Sequence, residues 1–566
     1  MASVATVDLA DVSRGHTHSQ EEDGEMLEMM RRVKRMRIND QGKSRASQME
    51  EENFQHCHKG TAVHRAAMEG WWEPNKDIIH ALADHLKACG VWISACKNLR
   101  LVNKHWSHQV SQHLTALSPH ASRSLPASHL IEHVKPGQKF SGVRHLNLMS
   151  CGPLRGDRRG CFRMVTKLES LALGGDWVTN EVCECLTWQT ALRNLWLGES
   201  LVSSRGLRYL SGLKTLRCLD LHLRIGVSPA CLSRFKHLEN LKLSCAAPIL
   251  DEDDLLGLSC MQRLQSLSLV NSGVDLYGLK GIARLINLVR LEVWCDKVYF
   301  LDQACHDFAR GLPNLSFLGL ISSHNLTDDG LGAIAGLANL SHLSLIQCPK
   351  ISPTGMRRLT TLEGLRFLKL YNNDLVGLRV FSRLHKLEGL HLGGMDEVGD
   401  AHLTCLQSLT CLTSLKFFQS PNVGGVVMGT LAHLRIVKEF ELVCCKTMQS
   451  QYLLHNLQSA CFGPLQDQML CDVIASCPGL VSLSLMECTM SPYAVEVMGT
   501  LRRLKHLRLW HCRMLNMEML ALYSRHWMDR LEVLDLCPLE QFDGGCLRNV
   551  MLCFPHLKVQ ETATVG

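Results

Sequence analysis

A short run of apolar residues recurs along most of the chain and constrains its fold more than any other feature. The run has the frame L-x-x-L-x-L-x-x-(N/C), as in Leu340–Cys348. Copies begin at Val143, Leu168, Leu192, Leu216, Leu238, Leu264, Leu288, Leu315, Leu340, Leu365, Leu387, Leu412, Val437, Leu480, Leu504 and Leu531. They start 22 to 27 residues apart, except for the 43 residues after Val437, where a degenerate copy is expected around Leu454 and Leu457. Such self-similarity indicates stacked units rather than one globular core.

Each copy combines two local patterns. Its central leucines alternate with polar residues, which is the pattern of a half-buried strand. A short helical pattern follows, and Thr327, Ser352 and Ser491 are predicted to cap such helices, the last two with Pro at the first helical position. One strand and one helix in such a short unit cannot bury these leucines alone, so the units are predicted to stack, with a parallel sheet on one side and helices on the other.

The frame resembles that of leucine-rich-repeat proteins, and the form Cys348-x-x-Ile351 followed by Gly355-Met356 is similar to their cysteine-containing subtype. The resemblance extends over roughly residues 142–559. It implies an α/β solenoid with a curved parallel sheet on the concave face and short helices on the convex face. It also implies that the ninth residue of the frame hydrogen-bonds to the turn of an adjacent repeat. Here that role falls to Cys151, Cys348, Asn373, Cys445, Cys488 and Cys512.

The residues before, between and after the two central leucines are expected to point to the concave side. The column after the second leucine is largely apolar and aromatic: Val270, Trp294, Ile321, Ile346, Tyr371, Gly393, Phe418, Val443, Met486 and Trp510. Because hot spots favour aromatic residues and Arg, this stripe predicts a protein-binding surface. The candidate binding residues are Trp294, Tyr371, Phe418, Trp510, Arg290, Lys369 and Arg508. The alternative is that the stripe residues pack against one another across the sheet.

Two amphipathic helical patterns precede the repeats, within residues 74–117. The first begins at Pro74, and the second reads L-x-L-V-x-x-x-W from Leu99 to Trp106. Together they resemble an F-box, a family that docks on the Skp adaptor of cullin–RING ubiquitin ligases. The resemblance implies an adaptor-binding role for Pro74, Ile78, Ile79, Leu82, Leu99, Val102 and Trp106. An insertion at residues 90–95, and Glu73 where the family has Leu, depart from that pattern. The alternative is a helical cap on the open end of the array.

These patterns divide the chain into five segments. Residues 1–60 form a charged tail that is predicted to be disordered, with a basic run at Arg31–Arg37 that is either a nuclear-import signal or a solvated surface. An F-box-like helical segment, 61–118, and a linker or N-terminal cap, 119–142, come next. The repeat array, 143–560, holds about 16–17 repeats, and 561–566 form a short tail.

Composition excludes several classes of protein. A net charge of +6 over 566 residues does not indicate a nucleic-acid partner, and the absence of a long apolar run argues against a membrane span. The 26 cysteines follow a polar N-terminus without a secretory signal, so reduced thiols and a cytoplasmic or nuclear location are predicted. No nucleophile–base pair or metal-ligand spacing is recognisable. The sequence therefore predicts no enzyme, catalytic residue, metal or cofactor.

Two functions are compatible with this organisation, and both involve a protein partner on the concave face. The first is the substrate receptor of a Skp–cullin–F-box ubiquitin ligase, which would direct protein ubiquitination and degradation, with the Skp adaptor and cullin as further partners. The second is a non-catalytic scaffold of the cytoplasm or cytoskeleton, such as the ciliary axoneme. In the second case residues 74–117 would be only a cap.

Overall fold

A computed structural model of the chain describes part of the sequence in detail. The described ranges are 116–117, 127–138, 141–149, 151–154, 162–223, 229–245, 257–270, 276–294, 301–372, 378–394, 398–443, 453–513, 530–536 and 558–561. The charged tail, the F-box-like motif from Pro74 to Trp106 and the C-terminal tail lie outside the described residues, as do Asn373 and Cys445. The adaptor-binding assignments therefore stay predictions.

The chain divides into two compact units. The first unit comprises residues 1–177 and 185–192. It contains strands β1 (Ala116–Leu117), β2 (His145–Asn147) and β3 (Ser170–Gly174), which pair in parallel in that order, and helix α1 (Ala127–Val134). Leu117 stands opposite Leu146, so β1 has the register of a repeat although it precedes the first recognisable copy of the frame.

The second unit comprises residues 178–184 and 193–566. Its strands pair in parallel and in chain order, each with the next. They are β4 (Asn194–Gly198), β5 (Cys218–Leu223), β6 (Asn240–Cys245), β7 (Ser266–Val270), β8 (Arg290–Trp294), β9 (Phe317–Ile321), β10 (His342–Ile346), β11 (Phe367–Tyr371), β12 (Gly389–Gly393), β13 (Ser414–Phe418), β14 (Glu439–Val443), β15 (Ser459–Gly463), β16 (Ser482–Met486), β17 (His506–Trp510), β18 (Val533–Leu536) and β19 (Lys558–Glu561).

Short helices alternate with these strands. The α-helices are α2 (Asn180–Leu186), α3 (Ser204–Leu210), α4 (Leu276–Ile282), α5 (Leu301–Gly311), α6 (Asp328–Ile334), α7 (Pro353–Met356), α8 (Asp400–Leu403), α9 (Gly425–His433), α10 (Asp467–Ser476) and α11 (Pro492–Met498). Short 3-10 helices are Pro229–Arg234, Gly257–Cys260, Arg357–Thr361, Leu378–Arg383 and Thr404–Ser408. Each repeat thus contributes one strand and, in most cases, one short helix, and the strands form an open parallel sheet. This architecture is a leucine-rich-repeat solenoid, as the sequence predicts.

The leucines of the frame form the core of the solenoid. Leu343 and Leu345 are buried, while their neighbours on β10 are half-buried, and most strands repeat this alternation. Burial of each such leucine stabilises the fold by roughly 1.5–3 kcal/mol. The expected degenerate copy is also present. It starts at the buried Leu457 and carries Ala460 and Phe462 where other copies have leucine, which is why the frame is hard to recognise there.

The residue directly after many strands adopts a left-handed backbone. These non-glycine residues are Glu199, Ser322, Gln347, Asn372, Gln419, Glu487 and His511, with φ between 38° and 57°. Such a conformation is strained for a residue with a side chain. Several of these residues also donate their backbone N–H to the last carbonyl of the next strand, such as Gln347 to Tyr371 at 2.8 Å. The bond extends the ladder and offsets the strain.

The predicted helix caps are confirmed, and each is also held by the preceding repeat. The side chains of Thr327, Ser352 and Ser491 accept from backbone N–H groups of their own helices. Their own N–H and hydroxyl groups donate to a carboxylate one repeat earlier. The acceptors are Asp302 for Thr327, Asp328 for Ser352 and Asp467 for Ser491. We call this series the cap ladder.

The described cysteines at the ninth position of the frame are buried, and thiols of this group link successive repeats. The thiol of Cys488 donates to the carbonyl of Phe462 at 3.8 Å, and that of Cys512 donates to Leu485 at 3.7 Å. Burial raises the pKa of Cys512 to about 12, so its thiol stays protonated. The thiol of Cys348 donates to Ile346 of its own strand and is also hydrogen-bonded with Ser323 of the preceding repeat. The described cysteines all carry free thiols.

Candidate protein-binding surface

The first, third and fifth residues of strands β4–β17 lie on the face of the sheet opposite to the buried leucines. We call this the open face; it is the face that the sequence predicts to be concave. On β10, β11 and β16 all three residues are half-buried, so their side chains stand on the sheet and remain partly accessible. The residues of the predicted stripe occupy the fifth position of each strand.

The first cluster on this face lies at β8 and β9. The guanidinium carbon of Arg290 lies 3.4 Å from the ring centre of Phe317, and an Arg290 nitrogen lies 3.6 Å from a carboxylate oxygen of Glu292. A cation over an aromatic face is attracted by the ring quadrupole. Trp294, at the fifth position of β8, is half-buried and stands opposite Ile321.

A row of stacked rings continues from Phe317 along the first position of successive strands. The ring centres of Phe317 and His342 are 6.0 Å apart, and those of His342 and Phe367 are 4.5 Å apart and nearly parallel. Burial and the charge of Arg290 lower the pKa of His342. The prediction from sequence missed this row because it considered mainly the column after the second leucine, whereas Phe317, His342 and Phe367 recur at the first position of their strands.

The second cluster lies on β11–β13 and contains three of the predicted residues. The rings of Tyr371 and Phe418 meet edge to face, with centres 5.7 Å apart, above Gly393 on the strand between them. The ammonium of Lys369 lies 4.6 Å from the ring centre of Tyr371. Burial and the charge of Glu441 raise the pKa of Tyr371 to about 12, so its hydroxyl is protonated at neutral pH.

Charged and polar side chains occupy the third position between these aromatic columns. Lys369, His391, Lys416 and Glu441 stand on four consecutive strands in register. Lys416 and Glu441 form an ion pair at 2.6 Å. Nε2 of His391 lies 3.2 Å from the hydroxyl of Ser414. Burial, and then the charges of Lys416 and Lys369, lower the pKa of His391 to about 4, so it is neutral near pH 7.

The third cluster lies on β17. The guanidinium carbon of Arg508 lies 5.4 Å from the ring centre of Trp510, and its Nε donates to the buried carboxylate of Asp535 at 2.9 Å. The indole nitrogen of Trp510 is buried without a hydrogen-bond partner among the described residues. A buried polar group of this kind costs free energy when unpaired.

The seven candidate residues therefore lie on one face but form separate clusters. Neighbouring strands lie about 4.8 Å apart, so β8 and β17 are separated by about 40 Å. The alternative interpretation was that stripe residues pack against one another. Tyr371 and Phe418 do so, because their rings are in contact, but both side chains are also half-exposed. Trp196 is exposed at the third position of β4 and was not predicted, because the predicted stripe comprises fifth positions from β7 onward.

Two kinds of feature are absent from the described residues. No group of three or more His, Cys, Asp or Glu side chains could hold a metal ion there. None of the helices within the described ranges is long and apolar enough to cross a membrane.

Comparisons with known proteins give similarity only at the level of the fold. No protein-family model and no curated protein matches the chain. Among solved structures, an internalin of Listeria monocytogenes is 19% identical, with 59% of this chain and 88% of that chain covered and a TM-score of 0.38. A leucine-rich-repeat protein of Leptospira interrogans is 17% identical, with 78% and 100% covered and a TM-score of 0.40. A plant peptide hormone receptor is 14% identical, with 81% of each chain covered and a TM-score of 0.33.

The position of His391 makes stability dependent on pH. Its folded-state pKa of about 4 lies below the ordinary 6.5, so the unfolded chain binds a proton more readily between these values. The contribution of neutral His391 to the free energy of unfolding is therefore full above about pH 6.5 and is lost as the pH falls toward about 4. Between about pH 7 and pH 4.5, we expect the urea midpoint of His391→Gln to fall less than that of the wild type. His385→Gln, at an exposed turn, is the control, and equal slopes in wild type and His391→Gln would contradict the assignment.

Proposed function

We propose that this chain is a protein-binding module that holds its partner on the open face of the second unit. The observation that carries the proposal is the row of aromatic and charged side chains on this face. Eight of the ten consecutive strands β8–β17, all except β15 and β16, place at least one such side chain there, over about 40 Å. A face about 40 Å long and five residues (about 17 Å) wide approaches the roughly 800 Å² that each partner buries in a standard interface, in which aromatic residues and Arg supply the hot spots.

We further propose that the bound protein is a ubiquitination substrate and that the chain is the substrate receptor of a Skp–cullin–F-box ligase. This step is supported by the resemblance of residues 74–117 to an F-box, ahead of a repeat array suited to substrate binding. The receptor would contribute no chemistry of its own. It would hold the substrate close to the enzyme, so that an intermolecular transfer becomes effectively intramolecular.

Paired tryptophan variants test binding by the open face. Trp294→Ala and Trp510→Ala should each remove proteins captured by the full chain, since a hot-spot aromatic contributes about 2 kcal/mol or more. Trp188→Ala is the matched control, because that ring is exposed in the first unit and covered on one side by Arg163. Quantitative mass spectrometry of cross-linked complexes gives the ratio for each captured protein. If all variants captured the same proteins in equal amounts, the open face would not be the binding surface.

The ligase role has a separate test with purified components. The full chain should bind the Skp adaptor, and Ile78→Glu or Val102→Glu should abolish that binding while the melting temperature stays unchanged. A chain that never binds the adaptor, or variants that lose binding and melting temperature together, would favour the scaffold function. Residues 74–117 would then be a cap on the array.

A further inference from the structure

Among the described residues, the ion pairs along the open face leave one third-position cation with no carboxylate within 4.0 Å. The third positions of the strands carry the cations Lys242, Lys369, Lys416 and Arg508 within the described residues. Three of them form ion pairs, namely Lys242–Asp220 at 3.4 Å, Lys416–Glu441 at 2.6 Å and Arg508–Asp535 at 2.9 Å. Within the described ranges, no carboxylate lies within 4.0 Å of the ammonium of Lys369.

Lys369 is also partly removed from water. Its side chain is half-buried, and burial lowers the pKa of its ammonium, an effect that Glu292 opposes and Lys416 reinforces. A charge that is desolvated without a partner destabilises the state that contains it. The folded protein therefore carries a cation whose desolvation is only partly offset by its own groups.

Lys369 has aromatic side chains on both sides along its own strand and glycines at the corresponding positions of the next strand. On its own strand, Phe367 and Tyr371 flank it at the first and fifth positions of the same face. On the next strand, β12, the corresponding positions are Gly389 and Gly393, and both lie against those rings. His391 is thus the only side chain that β12 places on this face. Lys369 lies between two aromatic rings that fill the space above the glycines of β12.

We infer that Lys369, between Phe367 and Tyr371, receives an aspartate or glutamate carboxylate of the protein bound on the open face. The inference rests on the proposed binding function and specifies the chemistry of the partner. The charges fit one negative charge: Lys369 and Lys416 supply two positive charges, Glu441 removes one, and His391 is neutral near pH 7. A phosphate dianion would exceed this balance, and Lys lacks the two-pronged donor geometry with which Arg holds phosphate.

Short extended peptides with a fixed central residue test the inference on the full chain. The central residue is Glu, Gln, Lys or phosphoserine, and the other positions are randomised. Peptides with Glu should bind about tenfold or more tightly than those with Gln, because the amide of Gln still accepts a hydrogen bond but lacks the negative charge that pairs with the ammonium. Lys369→Met should abolish this preference. Lys386→Met, which removes the same charge from an exposed turn, should retain it.

A charge exchange adds a gain of function that misfolding cannot imitate. Lys369→Glu should lose the peptides with Glu and gain those with Lys. The inference is overturned if Glu and Gln bind alike, if Lys369→Met keeps the preference, or if phosphoserine binds more tightly than Glu. These outcomes are independent of the capture experiment, which reads Trp294 and Trp510. Suppose that the Trp294 and Trp510 variants lose capture while Lys369→Met keeps the preference for Glu. The binding function would then stand, and the carboxylate site would be rejected.

Discussion

Phe417→Ala is expected to lower the free energy of unfolding by about 3–5 kcal/mol, the cost of removing a fully buried aromatic side chain. Phe417 occupies the position of the second central leucine on β13, between Leu392 and Leu442 of the adjoining strands. Because each repeat packs on its neighbours, the cavity would weaken three repeats together. Urea unfolding measures the loss, and hydrogen exchange of β12–β14 locates it.

The next residue is the control for this prediction. Phe418 has the same side chain on the opposite face of the sheet, half-exposed and in edge contact with Tyr371. Phe418→Ala should therefore cost about 1 kcal/mol, the range of an aromatic pair. Equal losses at the two positions would contradict the assignment of the buried and open faces. A register shifted by one residue would reverse the order of the two effects.

Asp328→Ala is expected to lower the free energy of unfolding by about 1.5–3 kcal/mol, because it removes hydrogen bonds to a charged acceptor. The carboxylate of Asp328 accepts from the N–H of Ser352 at 2.8 Å, from its hydroxyl and from the hydroxyl of Thr354. Burial alone would raise its pKa, but these bonds and the charge of Arg358 outweigh burial and lower it. The stabilisation is therefore present above the ordinary pKa of 3.8 and is lost as the pH falls below it.

Asp329→Ala is the matched control for the cap ladder. Asp329 carries the same charge one residue later and is exposed, and its carboxylate lies 3.0 Å from Nε2 of His306. An exposed ion pair contributes about 0–1 kcal/mol, so this variant should unfold near the wild-type urea concentration. If both substitutions lower the free energy of unfolding equally, the cap ladder does not hold the repeats together.

The cap ladder also explains the glycine at residue 355, because a Cβ there would collide with the Asp328 carboxylate.

Local patterns were sufficient where the fold repeats itself. The frame at Leu340–Cys348 predicted the buried leucines, the strand and the cap at Ser352 because each depends on residues close in sequence. The copy at Leu457 was located only approximately, since Ala460 replaces a leucine. The acceptor of each cap was not predicted, because Asp328 and Ser352 are 24 residues apart and their contact depends on how repeats stack.

For the candidate binding face, the sequence alone determined which residues share one side of the sheet, because strand side chains alternate with a period of two. Tertiary structure alone decided which of them touch. Register places Phe317, His342 and Phe367 in one stack, brings Tyr371 to Phe418 across Gly393, and pairs Lys416 with Glu441. It also leaves the ammonium of Lys369 with no carboxylate of the described residues within 4.0 Å. Burial and contact between neighbouring repeats depend on packing across strands more than twenty residues apart in the chain, which no local pattern encodes.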